Sequence, residues 1–128
     1  MLHTVKKRVL LLEDMPILAK MNCDILQKNG YDTDVARTAD EVFSKLATST
    51  LPDVIILDVM VPGSMNGIEV LRKLRKEARY QRVAMIVLTA VANETTERQA
   101  REAGADAFFA KPYSVSALLE CVSALTSH

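Results

Sequence analysis

Short aliphatic runs alternate with longer stretches of helical period along the whole chain, and this alternation restricts the fold more than any other feature. The runs occupy residues 9–12, 33–36, 54–57, 83–88 and 107–110. Residues 16–29, 40–48, 68–79 and 94–103 lie between them with helical spacing, and 114–125 follow the last run. Strands separated by helix-length segments pair in parallel, because a parallel neighbour needs a crossover and a helix supplies it. The first, third and fourth runs are nearly continuous aliphatic, as strands covered on both faces should be. The expected class is therefore α/β, a doubly wound five-stranded parallel sheet in the common order 2-1-3-4-5 with a helix after each strand.

The punctuation agrees. Pro16 suits a first helical turn, Asn29 and Gly30 a helix end, Thr38 with Glu41 a capping box, and Gly104 a C-terminal glycine. A length of 128 residues fits a single domain with a core over about 8–125, and no repeat or linker divides it. Half of the chain is apolar and a quarter charged, which excludes a disordered class. Sixteen basic residues balance sixteen acidic ones, so no overall charge holds the chain to nucleic acid or to an anionic membrane. The cationic start is followed by an apolar run too short for a signal segment or a membrane span, and a cytoplasmic protein is expected. Cys23 and Cys121 fall in helix-like stretches and read as buried, reduced thiols.

In an open α/β sheet, ligands collect outside the carboxyl ends of the strands. The first strand delivers Glu13 and Asp14 there, the third Asp58, the fourth Thr89, and the fifth Lys111 with Pro112. Each has an ordinary structural reading when taken alone: a turn former, a helix N-terminal charge pair, a solvated lysine. Their coincidence at the same end of their strands points to one crevice with three carboxylates, a hydroxyl and an ammonium. Clustered carboxylates repel, and a hard divalent cation relieves the repulsion, with Mg²⁺ the natural candidate. Together these groups describe a site for phosphoryl chemistry in which Asp58 is the nucleophile.

At this point the sequence resembles the receiver domain of two-component response regulators, the chemotaxis-type module with a flavodoxin-like fold. The matching segments are VLLLED at 9–14, VIILDVMVP at 54–62, IVLTA at 86–90 and GADAFFAKP at 104–112. The resemblance implies that Asp58 accepts a phosphoryl group from a sensor histidine kinase or a histidine phosphotransfer protein. It implies that Asp14, Asp58 and the Met60 carbonyl bind Mg²⁺, with Glu13 acting through a metal-bound water. It also implies that Lys111 and Thr89 engage the phosphoryl oxygens, that Phe108 switches rotamer with Thr89, and that Lys111-Pro112 is cis. The surface of helix four, strand five and helix five would then carry the signal to an output partner or output domain, or into a phosphorylation-dependent homodimer. Met60 and Val91 stand where the family tunes phosphate lifetime; both are apolar and neither orients a water, so slow self-dephosphorylation is expected. Such a protein catalyses only its own phosphorylation and dephosphorylation. Two departures stand out: the loop from Pro62 to Gly67 is a residue longer than the usual spacing, and the switch residue is Phe108 rather than tyrosine, which favours apolar partners.

Other classes fit less well. A haloacid-dehalogenase-type enzyme needs a second acid where Met60 stands, and an FMN carrier needs a phosphate loop where Glu13 and Asp14 would repel phosphate. A receiver-like interaction module that works without phosphorylation, or the N-terminal receiver of a longer DNA-binding regulator, remains as an alternative. Arg72, Lys73, Arg75, Lys76, Arg79 and Arg82 read as a solvated basic face rather than a nucleic-acid patch, since no aromatics are interleaved. His3 and His128 receive no role. Met15 and Ile17, beside the acidic pair, are candidates for contact with a kinase.

Overall fold

Uninterrupted aliphatic segments are stable as strands only where both of their faces are covered, and the central strands meet that condition. In the computed structural model, which describes residues 6–48 and 50–127, β1 spans Arg8–Leu12, β2 Asp32–Ala36, β3 Val54–Asp58, β4 Ala84–Thr89 and β5 Ala107–Ala110. They form one sheet, parallel as the alternation requires and in the expected order β2-β1-β3-β4-β5. The helices are α1 Pro16–Lys28, α2 Ala39–Thr48, α3 Gly67–Arg75, α4 Glu94–Ala103 and α5 Val115–Thr126.

The two-residue period of each strand divides the core. Leu10, Leu12, Ile55, Leu57, Met85 and Val87 pack beneath α2, α3 and α4. Val9, Leu11, Val54, Ile56, Ile86 and Leu88 pack on the opposite face against Leu26 of α1 and Leu118 and Val122 of α5. Burial on both faces fixes the register, because a slip of one residue would exchange every side chain between layers. All five strands consequently end at one edge, where the βα loops begin.

Three expectations need correction. The third helix stops at Arg75 rather than Arg79 and is followed by a separate 3-10 turn, Ala78–Tyr80. Glu77 takes extended angles, Tyr80 is buried, and the Arg75 side chain turns inward to the carbonyls of Tyr80 and Val83, which folds the chain back on itself. The basic face therefore lacks Arg75, while Arg72, Lys73, Lys76, Arg79 and Arg82 remain exposed. Cys23 and Cys121 are half-buried free thiols rather than buried ones, and burial still raises both of their pKa values. The capping-box reading at α2 is met in part: the Glu41 amide donates to Thr38 Oγ1, whereas the full reciprocal box forms between Asn66 and Glu69 at the start of α3. His3 and His128 lie outside the described residues, and no helix among those described is long and apolar enough to cross a membrane.

Candidate functional site: an acidic pocket at the carboxyl edge of the sheet

Each site residue stands at or just past the end of a strand. The Glu13 amide donates to the Ala36 carbonyl at 2.9 Å, extending the β1–β2 ladder by one residue and fixing where the side chain leaves it. Asp58 closes β3, and Gly67, the first residue of α3, packs against its backbone so tightly that a Cβ would collide with the Asp58 carbonyl oxygen. The Lys111 amide donates to the Thr89 carbonyl at 2.8 Å, tying the end of β5 to the end of β4, and the Lys111-Pro112 bond is cis.

Lys111 brings the site together. Its Nζ donates to Asp58 Oδ2 at 2.6 Å and to Glu13 Oε1 at 3.1 Å. The second oxygens are held by main chain: Asp58 Oδ1 accepts from the Met60 amide at 3.0 Å and Glu13 Oε2 from the Met15 amide at 3.3 Å. Glu13 is 1% exposed and Asp58 3%, so both carboxyl groups are enclosed. Asp14 is half-buried, and it joins them in a cluster whose ligand oxygens all lie within 4.8 Å of one another, a donor set that could hold a metal ion. Thr89 is fully buried, and its Oγ1 accepts from the Val91 amide at 3.0 Å.

The electrostatics follow from this enclosure. Burial raises the Glu13 pKa above its ordinary value and the Asp58 charge adds to it, while the hydrogen bond from Lys111 pulls against both. For Lys111, burial opposes the ammonium form, but hydrogen bonds to Asp58 and Glu13 outweigh it and lift the pKa above the usual lysine value. The ammonium is thus held charged by two carboxylates, at a place where an entering anion would meet it.

The other singled-out residues surround this centre. Phe108 in β5 is half-buried against the core beneath α2, α3 and α4. Met60, Val91, Met15 and Ile17 are exposed on the loops and the first turn of α1 at the same edge, Ile17 at 78%. Two further residues went unnoticed in the sequence: Tyr113 donates its hydroxyl to Asn22 Oδ1 at 2.9 Å, pinning the loop after Pro112 to α1. Burial raises the Tyr113 pKa, so it stays a phenol and a donor. Met21 lines a groove with Leu18, Lys111 and Val115 beside this pair. No local pattern announces a contact between Asn22, in α1, and Tyr113, in the loop before α5.

Five parallel strands with an acid cluster and an inward lysine at their carboxyl edge define a class of Asp-centred α/β module, and the comparisons with known proteins are specific within it. The chain matches the response regulator receiver domain over residues 9–123 and belongs to that family, the receiver domains of two-component signalling. It is 31% identical over 119 residues to the phosphate regulon transcriptional regulatory protein PhoB of Escherichia coli, covering 93% of this chain and 51% of PhoB. The chain thus spans about half the length of that relative. It is 30% identical over 116 residues to the polar-differentiation response regulator DivK of Brucella ovis, covering 91% of this chain and 93% of DivK. Among solved structures, the Francisella response regulator 1452 receiver domain superposes with a TM-score of 0.86 at 29% identity, covering 94% of this chain and 97% of that one. A CheY-like receiver domain protein from Methanospirillum hungatei superposes with a TM-score of 0.85 at 28% identity, covering 94% and 93%.

Proposed function

We propose that Asp58 is the phosphoacceptor of a Mg²⁺-dependent switch, fed by a sensor histidine kinase or a histidine phosphotransfer protein. The observation that carries this reading is the contact of Lys111 Nζ with Asp58 Oδ2 at 2.6 Å inside a cluster of three carboxylates. An Asp58 carboxylate oxygen attacks the phosphorus of a phosphohistidine; the P–N bond breaks, and the imidazole leaves with a proton. Asp14, Asp58 and the Met60 carbonyl would hold Mg²⁺, with Glu13 acting through a metal-bound water, and the ion would neutralise charge on the transferring group. Lys111 pairs with the phosphoryl oxygens on the other side, and Thr89 turns its hydroxyl from the Val91 amide toward them. The acyl phosphate brings a charge of about −1.5 to −2 and three acceptor oxygens to one buried point. That is the input to which Thr89 and Phe108 respond.

In this reading the α4–β5–α5 surface passes the signal to a partner, to an attached output domain, or to a second copy, and the protein works in the cytoplasm. The match to PhoB supports an attached output domain and the match to DivK a free-standing receiver. Met15 and Ile17 are candidates for kinase contact. The chemistry is confined to the protein's own phosphorylation and dephosphorylation.

The test is incubation of wild type and Asp58→Asn with acetyl phosphate, with and without Mg²⁺, followed by intact mass. A gain of one phosphoryl group is expected only for wild type with Mg²⁺, and it should persist after acetyl phosphate is removed, since Met60 and Val91 orient no water. Equal uptake by Asp58→Asn would overturn the acceptor assignment, and rapid loss from wild type would overturn the role given to Met60 and Val91. Absence of uptake together with absence of Mg²⁺ binding would favour a docking module that works without phosphorylation.

A further inference from the structure

α4 is fastened at one end and free at the other. Its C-terminal half buries Ala100 and Ala103, whereas none of residues 94–99 is buried. The helix closes on Gly104 in a left-handed conformation with φ of 110°. The Gly104 carbonyl accepts from Arg75 Nε at 3.0 Å. The same guanidinium, 13% exposed, donates to the carbonyls of Tyr80 and Val83, each at 2.9 Å, and to Asp106 Oδ2 at 2.8 Å. Asp106 Oδ2 also accepts from the Met85 amide at 2.9 Å, and the Asp106 amide donates to the Met85 carbonyl at 2.8 Å. One side chain of α3 thereby joins the approach to β4, the end of α4 and the turn into β5.

Among the described residues the N-terminal half has no such tie. Its cap, Asn93, bonds to Thr96 within the same helix, at 2.8 Å. Between this half and α3 lies an open groove of about 510 Å³, lined by Met60, Glu69, Arg72, Val91, Thr96 and Gln99. A ten-residue helix is a stiff rod of about 15 Å. When one end is clamped and the other faces open space, displacement of the free end becomes rotation about the clamp.

We infer that Arg75 is the pivot of α4: it holds the helix at Gly104 and Asp106, so that a change at Thr89 swings the residues 94–99 half while 100–106 stay in place. This rests on the reading of α4 as part of the readout surface. Arg75 is a positioning residue; it lies at the amino edge of the sheet and touches no phosphoryl-site group among the described residues. A lysine would not replace it, because an ammonium lacks the planar fork that reaches several acceptors at once.

Amide hydrogen exchange tests the pivot, measured on wild type, Arg75→Met, Arg75→Lys and Asp106→Asn, each alone and with Mg²⁺ and beryllofluoride. In wild type, Ala105 and Asp106 should be more protected than Arg98 and Gln99, and activation should alter exchange only on the 90–99 side. In Arg75→Met, protection of Ala105 and Asp106 should fall by about tenfold or more, with β1 and β3 unchanged, and activation should then spread over the whole helix. Arg75→Lys should recover part of the protection. Asp106→Asn removes the charge pair but keeps an acceptor for the Met85 amide, and should give a smaller loss at the same amides. Retained protection of Ala105 and Asp106 in Arg75→Met would overturn the inference, as would a loss shared in proportion by β1 and β3, which marks general destabilisation. Phosphoryl uptake by Arg75→Met should match wild type. If wild type takes up none and binds no Mg²⁺, the acceptor reading fails, while the unactivated comparison of the two halves of α4 still decides whether Arg75 clamps the helix.

Discussion

Lys111 and Arg75 are the most enclosed of the ion-paired cations among the described residues, and they stand at opposite edges of the sheet. Lys111 faces two carboxylates, Asp58 and Glu13. Arg75 faces the backbone carbonyls of Gly104, Tyr80 and Val83, with Asp106 as its one carboxylate. The difference lies in what can compete for each cation. Full charges held in a shared pocket redistribute as soon as another ion enters, because every ion there competes for the same field. Carbonyl dipoles fixed in the main chain let go only if the chain moves. The carboxyl edge is therefore suited to switching and the amino edge to holding still.

The largest effect should come from Lys111→Ala measured without divalent ions. It leaves Glu13 and Asp58 enclosed with no cation between them, and breaking such a pair costs about 3 kcal/mol, toward the low end for buried pairs because Lys111 keeps some solvent contact. Urea unfolding should show this loss, and Mg²⁺ should restore most of it by supplying the missing charge. An equal loss with and without Mg²⁺ would break the contrast, since it would mean that Lys111 acts through packing rather than charge. Arg75→Met supplies the opposite case. Losing its hydrogen bonds to four carbonyls, that of Gln81 included, and to Asp106 should cost about 2–3 kcal/mol, and Mg²⁺ should recover none of it. Recovery by Mg²⁺ at Arg75 would show that the two edges are coupled in the resting state.

The same contrast explains what could be read in advance. The sheet was legible because its central strands are aliphatic on both faces and helical crossovers make the pairing parallel, while the order 2-1-3-4-5 came from what is common for such sheets rather than from the residues. The acidic pocket was legible because each member lies within two residues of the end of an aliphatic run, so locating the strands also located Glu13, Asp58, Thr89 and Lys111. Arg75 was hidden inside a basic run that reads as solvated when taken as a block of sequence. The helical period held the missing signal: position 75 lies four residues after Leu71 and seven after Ile68, both buried, whereas Arg72, Lys73 and Lys76 lie off that stripe. Reading the helix through to Arg79 concealed this, because the turn at Ala78–Tyr80 depends on carbonyl contacts made by Arg75 itself. The Tyr113–Asn22 bond was equally invisible, since it depends on how α5 enters beside α1.

The smallest effects distinguish two glycines, one at each edge. Gly67 meets the main chain of Asp58, which cannot yield without moving that carboxylate, while a Cβ on Gly104 would lie 2.7 Å from Cγ of Arg75, a side chain that can shift. Gly104 carries strain of another kind, because its φ of 110° is unfavourable for alanine. Gly67→Ala and Gly104→Ala should each cost about 1–2 kcal/mol in urea unfolding, so stability alone will not separate them. Phosphoryl uptake from acetyl phosphate should: Gly67→Ala displaces the backbone that presents Asp58 and should slow uptake several-fold, whereas Gly104→Ala should take it up at the wild-type rate. Exchange at Ala105 and Asp106 should show the reverse, raised by Gly104→Ala and untouched by Gly67→Ala. If both variants slow uptake equally, the clamp at Arg75 reaches Asp58, and the division between a switching edge and a fixed edge does not hold.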